Sequence, residues 1–330
     1  MTAAAPPDTA ALAAHLVRRG LLPSPAGMEV HPLAGGVSND VVAVTAPDFD
    51  AVVKQALGRL RVAEEWLADP ARIDTEGRAL QLAGRLVPGA VPRVYDLADG
   101  HLVIERAPGS WLTWKEQLFD GVVDPAVAER LGRVLGVWQR TTAGNAEVAS
   151  DFGDVTAFGQ LRVDPFHRTV AERHPDLAGV IGATVEAMAA ARVCLVHGDY
   201  TPKNVLVDPA GNGVWVIDWE VAHVGDPTFD PAWTVGHLLL KTVHRPASAT
   251  AYAAAARAFL AAHADELAGA VVLDPEQLVR QVGCLLLARV DGKSPAGYLT
   301  DDGSRRTRDL ARRLLVTPPD SVLDAWELLA

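Results

Sequence analysis

The chain has 330 residues, 49% of them hydrophobic, which is enough for one large or two medium domains. Its 30 Lys and Arg against 41 Asp and Glu leave a net charge of −11, which argues against a nucleic-acid backbone or an anionic membrane surface as the main partner. Two cysteines, Cys194 and Cys284, are too few for a disulfide framework, and no uncharged apolar run nears the roughly 18 residues of a membrane span. Met1 to Thr9 lacks the basic start of a secretory leader, so the expectation is a cytoplasmic protein.

The first hundred residues read as mixed α and β. Ala10 to Arg19 has helical spacing through Leu12, Leu16 and Val17 and stops at Gly20. The turn Gly35-Gly36-Val37-Ser38-Asn39 feeds a strand at Val41–Val44, and Ala51–Lys54 is a second strand beyond a turn at Ala46-Pro47-Asp48. Asp69 to Leu86 follows as a helix, and Arg93–Leu97 with His101–Glu105 forms a strand pair turning at Asp99-Gly100. Beyond Pro108-Gly109 the texture changes to Ala/Leu/Val-rich helices at Pro125–Thr141, Leu177–Ala191, Ser248–Leu267 and Pro275–Val290. One β island, Val193 to Val221, interrupts them. The reading is an α+β chain of two lobes, with a small sheet-bearing lobe over 1–104, a hinge over 105–109 and a larger helical lobe over 110–330. Two lobes imply a cleft, the usual home of a ligand site.

The densest chemical signal is His197-Gly198-Asp199-Tyr200-Thr201-Pro202-Lys203-Asn204. It runs into Val205-Leu206-Val207, a Gly/Pro/Asn turn, and Val214-Trp215-Val216-Ile217-Asp218. Two apolar runs joined by such a turn make a β-hairpin. Asn204 lies just before its first strand and Asp218 just after its second, so the two ends are neighbours roughly 5 Å apart. An amide oxygen and a carboxylate brought together in this way suit Mg²⁺, and Asp199 lies close enough upstream to face a substrate at the same metal.

This order of Asp, Asn five residues later, and Asp after a hairpin resembles a kinase catalytic loop. The His-Gly-Asp opening and the downstream Asp226-Pro227-Thr228-Phe229-Asp230 resemble the aminoglycoside phosphotransferase, choline kinase and methylthioribose kinase superfamily. The resemblance implies a protein-kinase-like fold and a nucleotide site for ATP or GTP with Mg²⁺. It assigns Lys54 to the phosphates, Glu76 to orienting that lysine, and Gly35, Gly36, Ser38 and Asn39 to the phosphate loop. The hinge from Ile104 to Ala107, with Glu105 and Ala107, would meet the adenine. Asp199 would be the catalytic residue, with Asn204 and Asp218 the metal ligands and Asp230 a structural carboxylate bonded to loop backbone. The first lobe looks closest to methylthioribose kinase, through Val53–Leu57, Arg61-Val62, Glu65-Trp66 and Leu161-Arg162-Val163-Asp164-Pro165-Phe166. The second lobe departs from it at Tyr200–Asn204 and at Ala288–Pro295, so nucleotide handling transfers better than substrate identity.

The implied activity is phosphoryl transfer to a hydroxyl of a sugar-like metabolite, an amino alcohol or an aminoglycoside. Glu220, His223, Trp233 and Arg289 are the candidates for contacting that acceptor. Residues after Arg106 carry most of the acidic excess, which tilts the expectation towards a neutral or cationic acceptor. Two other classes stand beside this reading. A metal-dependent hydrolase could use His197, Asp199, Asp218, His223 and Asp226 as a metal cluster, and a non-catalytic module could bind nucleotide alone.

Overall fold

A computed structural model describes residues 8–33, 38–61, 67–210 and 213–329. The predicted Gly35 and Gly36, together with Glu65 and Trp66, lie outside those residues.

Alternation of side chains organises the amino-terminal part. After helix α1 (Thr9–Arg18) come β1 (Glu29–Pro32), β2 (Asn39–Ala46), β3 (Phe49–Ala56), α2 (Arg72–Leu86), β4 (Val94–Ala98) and β5 (His101–Glu105). The five strands form one antiparallel sheet in the order β1-β2-β3-β5-β4. Ala51 and Val53 of β3 join Val42, Val44 and Val103 in a core sealed by Leu12 and Leu16 of α1. Val52 and Lys54, two apart on the strand, share the opposite face, the one covered by α2. The β1 strand was not foreseen, because its four mostly exposed residues at the sheet edge show no apolar alternation. Helix α2 starts three residues later than predicted, since the Asp69 carboxylate accepts the Ala71 N–H and holds 69–71 as a turn.

The remainder is mainly helical. The short β6 (Leu112–Thr113) is followed by α3 (Trp114–Asp120), α4 (Pro125–Thr142) and α5 (Ala146–Asp151). Next, α6 (Thr156–Phe158), a π-helical segment over Gly159–Arg168 and α7 (Thr169–Arg173) run together, with Pro165, which has no N–H to donate, inside the wide part. After α8 (Ala178–Ala190) come β7 (Cys194–Val196), β8 (Val205–Val207), β9 (Val214–Val216) and β10 (His223–Gly225). Helices α9 (Phe229–His244), α10 (Ala249–Leu267), α11 (Pro275–Asp291) and α12 (Asp301–Val316) complete the chain. The strands pair as β6-β8-β9 and β7-β10, which is the predicted hairpin with one extra strand on each side of the loop.

Small residues let α4 and α10 approach closely. A Cβ on Gly132 would stand 2.1 Å from the Phe259 carbonyl oxygen, and Ala255 and Ala256 are fully buried. A shared core then runs from α2 (Ile73, Leu80) through Trp138 and Trp219 to Leu195 and Val216, joining the sheet lobe to the helical lobe. Cys194 and Cys284 are both buried and unpaired, and burial pushes the Cys284 thiol up to about 12. No described helix is long and apolar enough to cross a membrane.

Candidate active site

The nucleotide side begins with helical and strand periodicity acting together. Ile73, Glu76, Leu80 and Ala83 form one buried stripe of α2, so Glu76 is carried into the interface with the sheet. Lys54 faces the same interface from β3, and its Nζ donates to Glu76 Oε1 at 2.5 Å and to Asp218 Oδ1 at 3.0 Å. Burial alone would favour the neutral amine, but the carboxylates of Asp218 and Glu76 outweigh it and raise the Lys54 pKa. This ammonium therefore joins the two lobes at the point where the predicted metal ligand enters.

The catalytic loop is held by backbone bonds to one carboxylate. Fully buried Asp230, at the start of α9, accepts from the His197 N–H at 2.7 Å and the Gly198 N–H at 2.9 Å. Gly198 has φ +81, and a Cβ there would lie 2.8 Å from Val221 Cγ2, so this position requires glycine on both counts. His197 accepts the Asp199 N–H at Nδ1 (3.0 Å) and donates from Nε2 to the Ile217 carbonyl (3.1 Å), so both ring nitrogens are used. Burial lowers its pKa to about 4 and keeps it neutral. His197 is thus a loop fastener.

Asp199 is the most heavily engaged carboxylate. Its Oδ2 accepts from Arg162 Nη2 at 2.8 Å, Lys203 Nζ at 2.9 Å and Asn204 Nδ2 at 2.8 Å. Burial opposes ionisation, yet Arg162 and Lys203 hold the carboxyl below the usual aspartate range. Oδ1 carries none of these bonds. The hairpin then works as the sequence implies. Val205 pairs with Val216, the Ile217 N–H donates to the Asn204 carbonyl at 2.9 Å, and Asp218 follows at once. Asp218 sits at φ +71, a left-handed conformation that costs roughly 1–3 kcal/mol in a non-glycine residue and is typical of functional positions.

The donor set suits a hard divalent cation. Asn204 gives its nitrogen to Asp199, which leaves its amide oxygen, and Asp218 gives Oδ1 to Lys54, which leaves Oδ2. Mg²⁺ takes one or two such protein oxygens and fills its octahedron with phosphate oxygens and water. Among the described residues no group of three or more His, Cys, Asp or Glu side chains converges on one point. The cluster that a hydrolase would need is therefore not assembled. Asp226 is occupied by Thr228 and Gln277, and the His223 ring lies 4.0 Å from that of Phe158.

The remaining predicted residues divide. Glu220 does not face an acceptor cavity. Its carboxylate receives Ser38 Oγ (2.8 Å), Asn39 Nδ2 (3.1 Å) and Arg72 Nε (2.9 Å), and Arg72 also donates to the carbonyls of Ser38 and Leu57. This bracket fastens the sheet lobe to the loop after Asp218, and it turns the side chains of Ser38 and Asn39 to Glu220. Replacing Glu220 with Ala would leave the Arg72 side chain, 0% exposed, without its counter-charge. The expected loss is about 3–5 kcal/mol, read as a lower urea midpoint, and an unchanged midpoint would show that the bracket contributes nothing. His223 lines a small apolar cavity of about 160 Å³ with Phe158 and Met188, and Trp233 is core, stacked on Phe229. Glu105 ends β5 and accepts the Arg93 N–H, and Ala107 follows it into the connection to β6.

Arg289 alone among the acceptor candidates reaches a cavity beside the catalytic loop. That cavity, about 370 Å³, is lined by Lys115, Pro202, Lys203, His237, Lys241, Arg289, Gly297 and Tyr298. Sequence reasoning missed Arg162 and Arg72 as site residues. The stretch around Arg162 carried a family likeness but nothing in it marked the arginine, and Arg72 reads as an ordinary helix-start charge.

Known proteins resemble this chain in sequence and in fold. The sequence profile of the phosphotransferase enzyme family matches residues 29–270. A methylthioribose kinase of Bacillus mycoides (strain KBAB4) is 26% identical over 255 residues, covering 68% of this chain and 64% of that enzyme. The chain thus spans less than two thirds of the length of that curated relative. Among solved structures, a choline/ethanolamine kinase family protein from Mesorhizobium loti aligns with TM-score 0.54 and 17% identity over 97% of this chain and 98% of that one. A macrolide 2'-phosphotransferase from Brachybacterium faecium aligns with TM-score 0.52 and 19% identity over 94% and 99%. These two likenesses concern the fold. They share the two-lobed α+β architecture on which the loop, the hairpin and Lys54 meet, and the profile spans most of the chain between β1 and α10, so the chain belongs to the phosphotransferase enzyme family.

Proposed function

We propose that the protein is an ATP-dependent kinase that phosphorylates a hydroxyl group of a small metabolite. The observation that carries this reading is the convergence of Lys54, Asp218, Asn204 and Asp199 from β3, the end of β9 and the catalytic loop. In it, the sheet lobe over 1–104 and the hinge over 105–109 serve the nucleotide, and 110–330 serves the acceptor. Bound Mg²⁺, held by Asn204 and Asp218, would supply the charge that neutralises the phosphates. Lys54, fixed by Glu76, supports the phosphates from the sheet side. Asp199 orients the acceptor hydroxyl through Oδ1. As the acceptor oxygen bonds to the γ-phosphorus, the bond from that phosphorus to the ADP oxygen breaks and the hydroxyl proton passes to Asp199. A carboxylate held below its ordinary pKa is a weak base, which suits a loose transition state that needs positioning more than early proton removal.

The test is a thermal-shift titration with ATP and GTP in Mg²⁺ and in EDTA, followed by measured ADP or GDP release across hydroxylated compounds. Stabilisation that requires Mg²⁺ and release that requires an acceptor are expected. Nucleotide binding indifferent to Mg²⁺, with no release on any acceptor, would overturn the reading.

A further inference from the structure

The cavity beside the catalytic loop has a composition at odds with the whole molecule. The chain carries −11 overall, yet the cavity lining holds Lys115, Lys203, Lys241, Arg289 and His237 and no Asp or Glu. Four separate elements deliver them: Lys115 from α3, Lys203 from the turn before β8, His237 and Lys241 from α9, and Arg289 from α11. Like charges gathered from distant segments repel one another, and among the described residues only Lys203 of this set has a carboxylate at ion-pair distance, Asp199, so their convergence is a cost to the fold.

Lys241 bears most of that cost. It is only 2% exposed, and its Nζ lies 3.1 Å from the Tyr298 hydroxyl, 4.2 Å over the Phe119 ring and 4.4 Å over the Tyr298 ring. Aromatic faces and one hydroxyl hold a cation in place without neutralising it. Burial first, then Arg289 and Lys115, pulls its pKa down to about 7. Arg289 spends Nη1 on Ser294, while its Nε is buried without a hydrogen-bond partner. Among the described residues, neither Lys241, Arg289 nor Lys115 has an ion-pair partner. Lys203 does, and its partner is Asp199. Lys203 therefore links the cavity lining to the carboxylate assigned to the acceptor hydroxyl.

We infer that the acceptor is an anion: a small hydroxylated molecule whose carboxylate or phosphate group is received by Lys241 and Arg289 while its hydroxyl is presented to Asp199. The inference rests on the kinase reading and names its substrate class. A ligand anion supplies a counter-charge for Lys241 and Arg289, accepts the hydrogen bond that the buried Arg289 Nε lacks, and gives the Lys241 ammonium an anionic acceptor besides the Tyr298 hydroxyl. A cationic aminoglycoside or choline would add a further positive charge to an already uncompensated set. The volume of about 370 Å³ admits a molecule of sugar-acid or sugar-phosphate size.

The experiment compares matched pairs on the full chain by calorimetry and by nucleotide release with MgATP: gluconate against glucose, and ribose 5-phosphate against ribose, with choline as the cationic member. At least one anion is expected to bind about tenfold to a hundredfold tighter than its neutral partner, the range of a charge-assisted hydrogen bond. Preference within the pairs separates a carboxylate receiver from a phosphate receiver. Lys241→Met and Arg289→Met should each remove that preference, and Lys241→Arg should restore part of it. Stabilisation of each variant by MgATP shows that the fold survives. Equal binding of anion and neutral partner, tighter binding of choline, or an anion preference untouched in both Met variants would overturn the inference. Anion binding that persists with no Mg²⁺-dependent nucleotide stabilisation would instead count against the kinase reading and leave the anion site standing.

Discussion

Asp199→Asn is expected to lower kcat by roughly a thousandfold, within the range for losing a positioned acid–base group, with little change in nucleotide affinity. The reason lies in the division of labour between its two oxygens. Oδ2 is saturated by Arg162, Lys203 and Asn204, so the side chain cannot swing, and Oδ1 is left to orient the acceptor hydroxyl. An amide of the same shape keeps the packing and the Asn204 geometry but cannot take the proton. It also leaves Arg162 and Lys203 facing a neutral group, so some loss of stability accompanies the change. Steady-state kinetics on an accepted substrate, beside thermal shifts with MgATP, separate the two effects. Activity near that of the parent would remove Asp199 from the reaction altogether.

Asp218→Asn should be nearly as severe, at about 10²–10³ in kcat, and should differ in kind. Here the nucleotide stabilisation itself is expected to lose its dependence on Mg²⁺, because the one carboxylate in the metal-binding pair is gone. Asparagine is the informative replacement, since after glycine it is, with aspartate, the residue that best tolerates the left-handed backbone found at this position, φ +71. Lys54 would keep Glu76 as its partner at 2.5 Å, so the pair within the sheet lobe persists while the charge it meets across the lobes is removed. A variant that retained Mg²⁺-dependent stabilisation would show that Asp218 does not hold the metal. Together the two substitutions distinguish loss of positioning from loss of the nucleotide's counter-charge.

Much of this site was legible because it is local. The spacing of Asp199, Asn204 and Asp218 needs only a hairpin to become a cluster, and hairpins are written in short apolar runs and turn residues. Lys54 and Glu76 were picked out through the family likeness, and local geometry explains why they meet. A strand of period two and a helix of period 3.6, adjacent in the chain, put one residue of each on the facing surfaces. The role of Asp230 as a clamp on the His197 and Gly198 N–H groups also followed from its family likeness.

The acceptor candidates show where that legibility stopped. Glu220 looked like a site residue because it stands two positions past Asp218, but its partners Ser38 and Asn39 lie 182 and 181 residues away and lock it into an inter-lobe bracket. His223 and Trp233 carry ligand-like side chains, yet both are buried among aromatic rings. Nothing within a few residues of either distinguishes a packed ring from a lining one. Nor does local spacing show that Arg162, brought in from the π-helical segment, helps hold the Asp199 carboxyl below the usual aspartate range.

The net charge of −11 is the sharpest case. Bulk composition assigned the acidic excess to the helical lobe and tilted the acceptor towards a neutral or cationic molecule. Folding leaves those carboxylates elsewhere and gathers lysines and an arginine from α3, α9 and α11 around one cavity. The sequence by itself determined the two-lobed fold and the hairpin that brings Asn204 and Asp218 together, because each depends on spacing within a few dozen residues. Only the tertiary structure decided the sign of charge around that cavity, because electrostatic potential in a cavity follows distance in space and burial, and neither is a property of position along the chain.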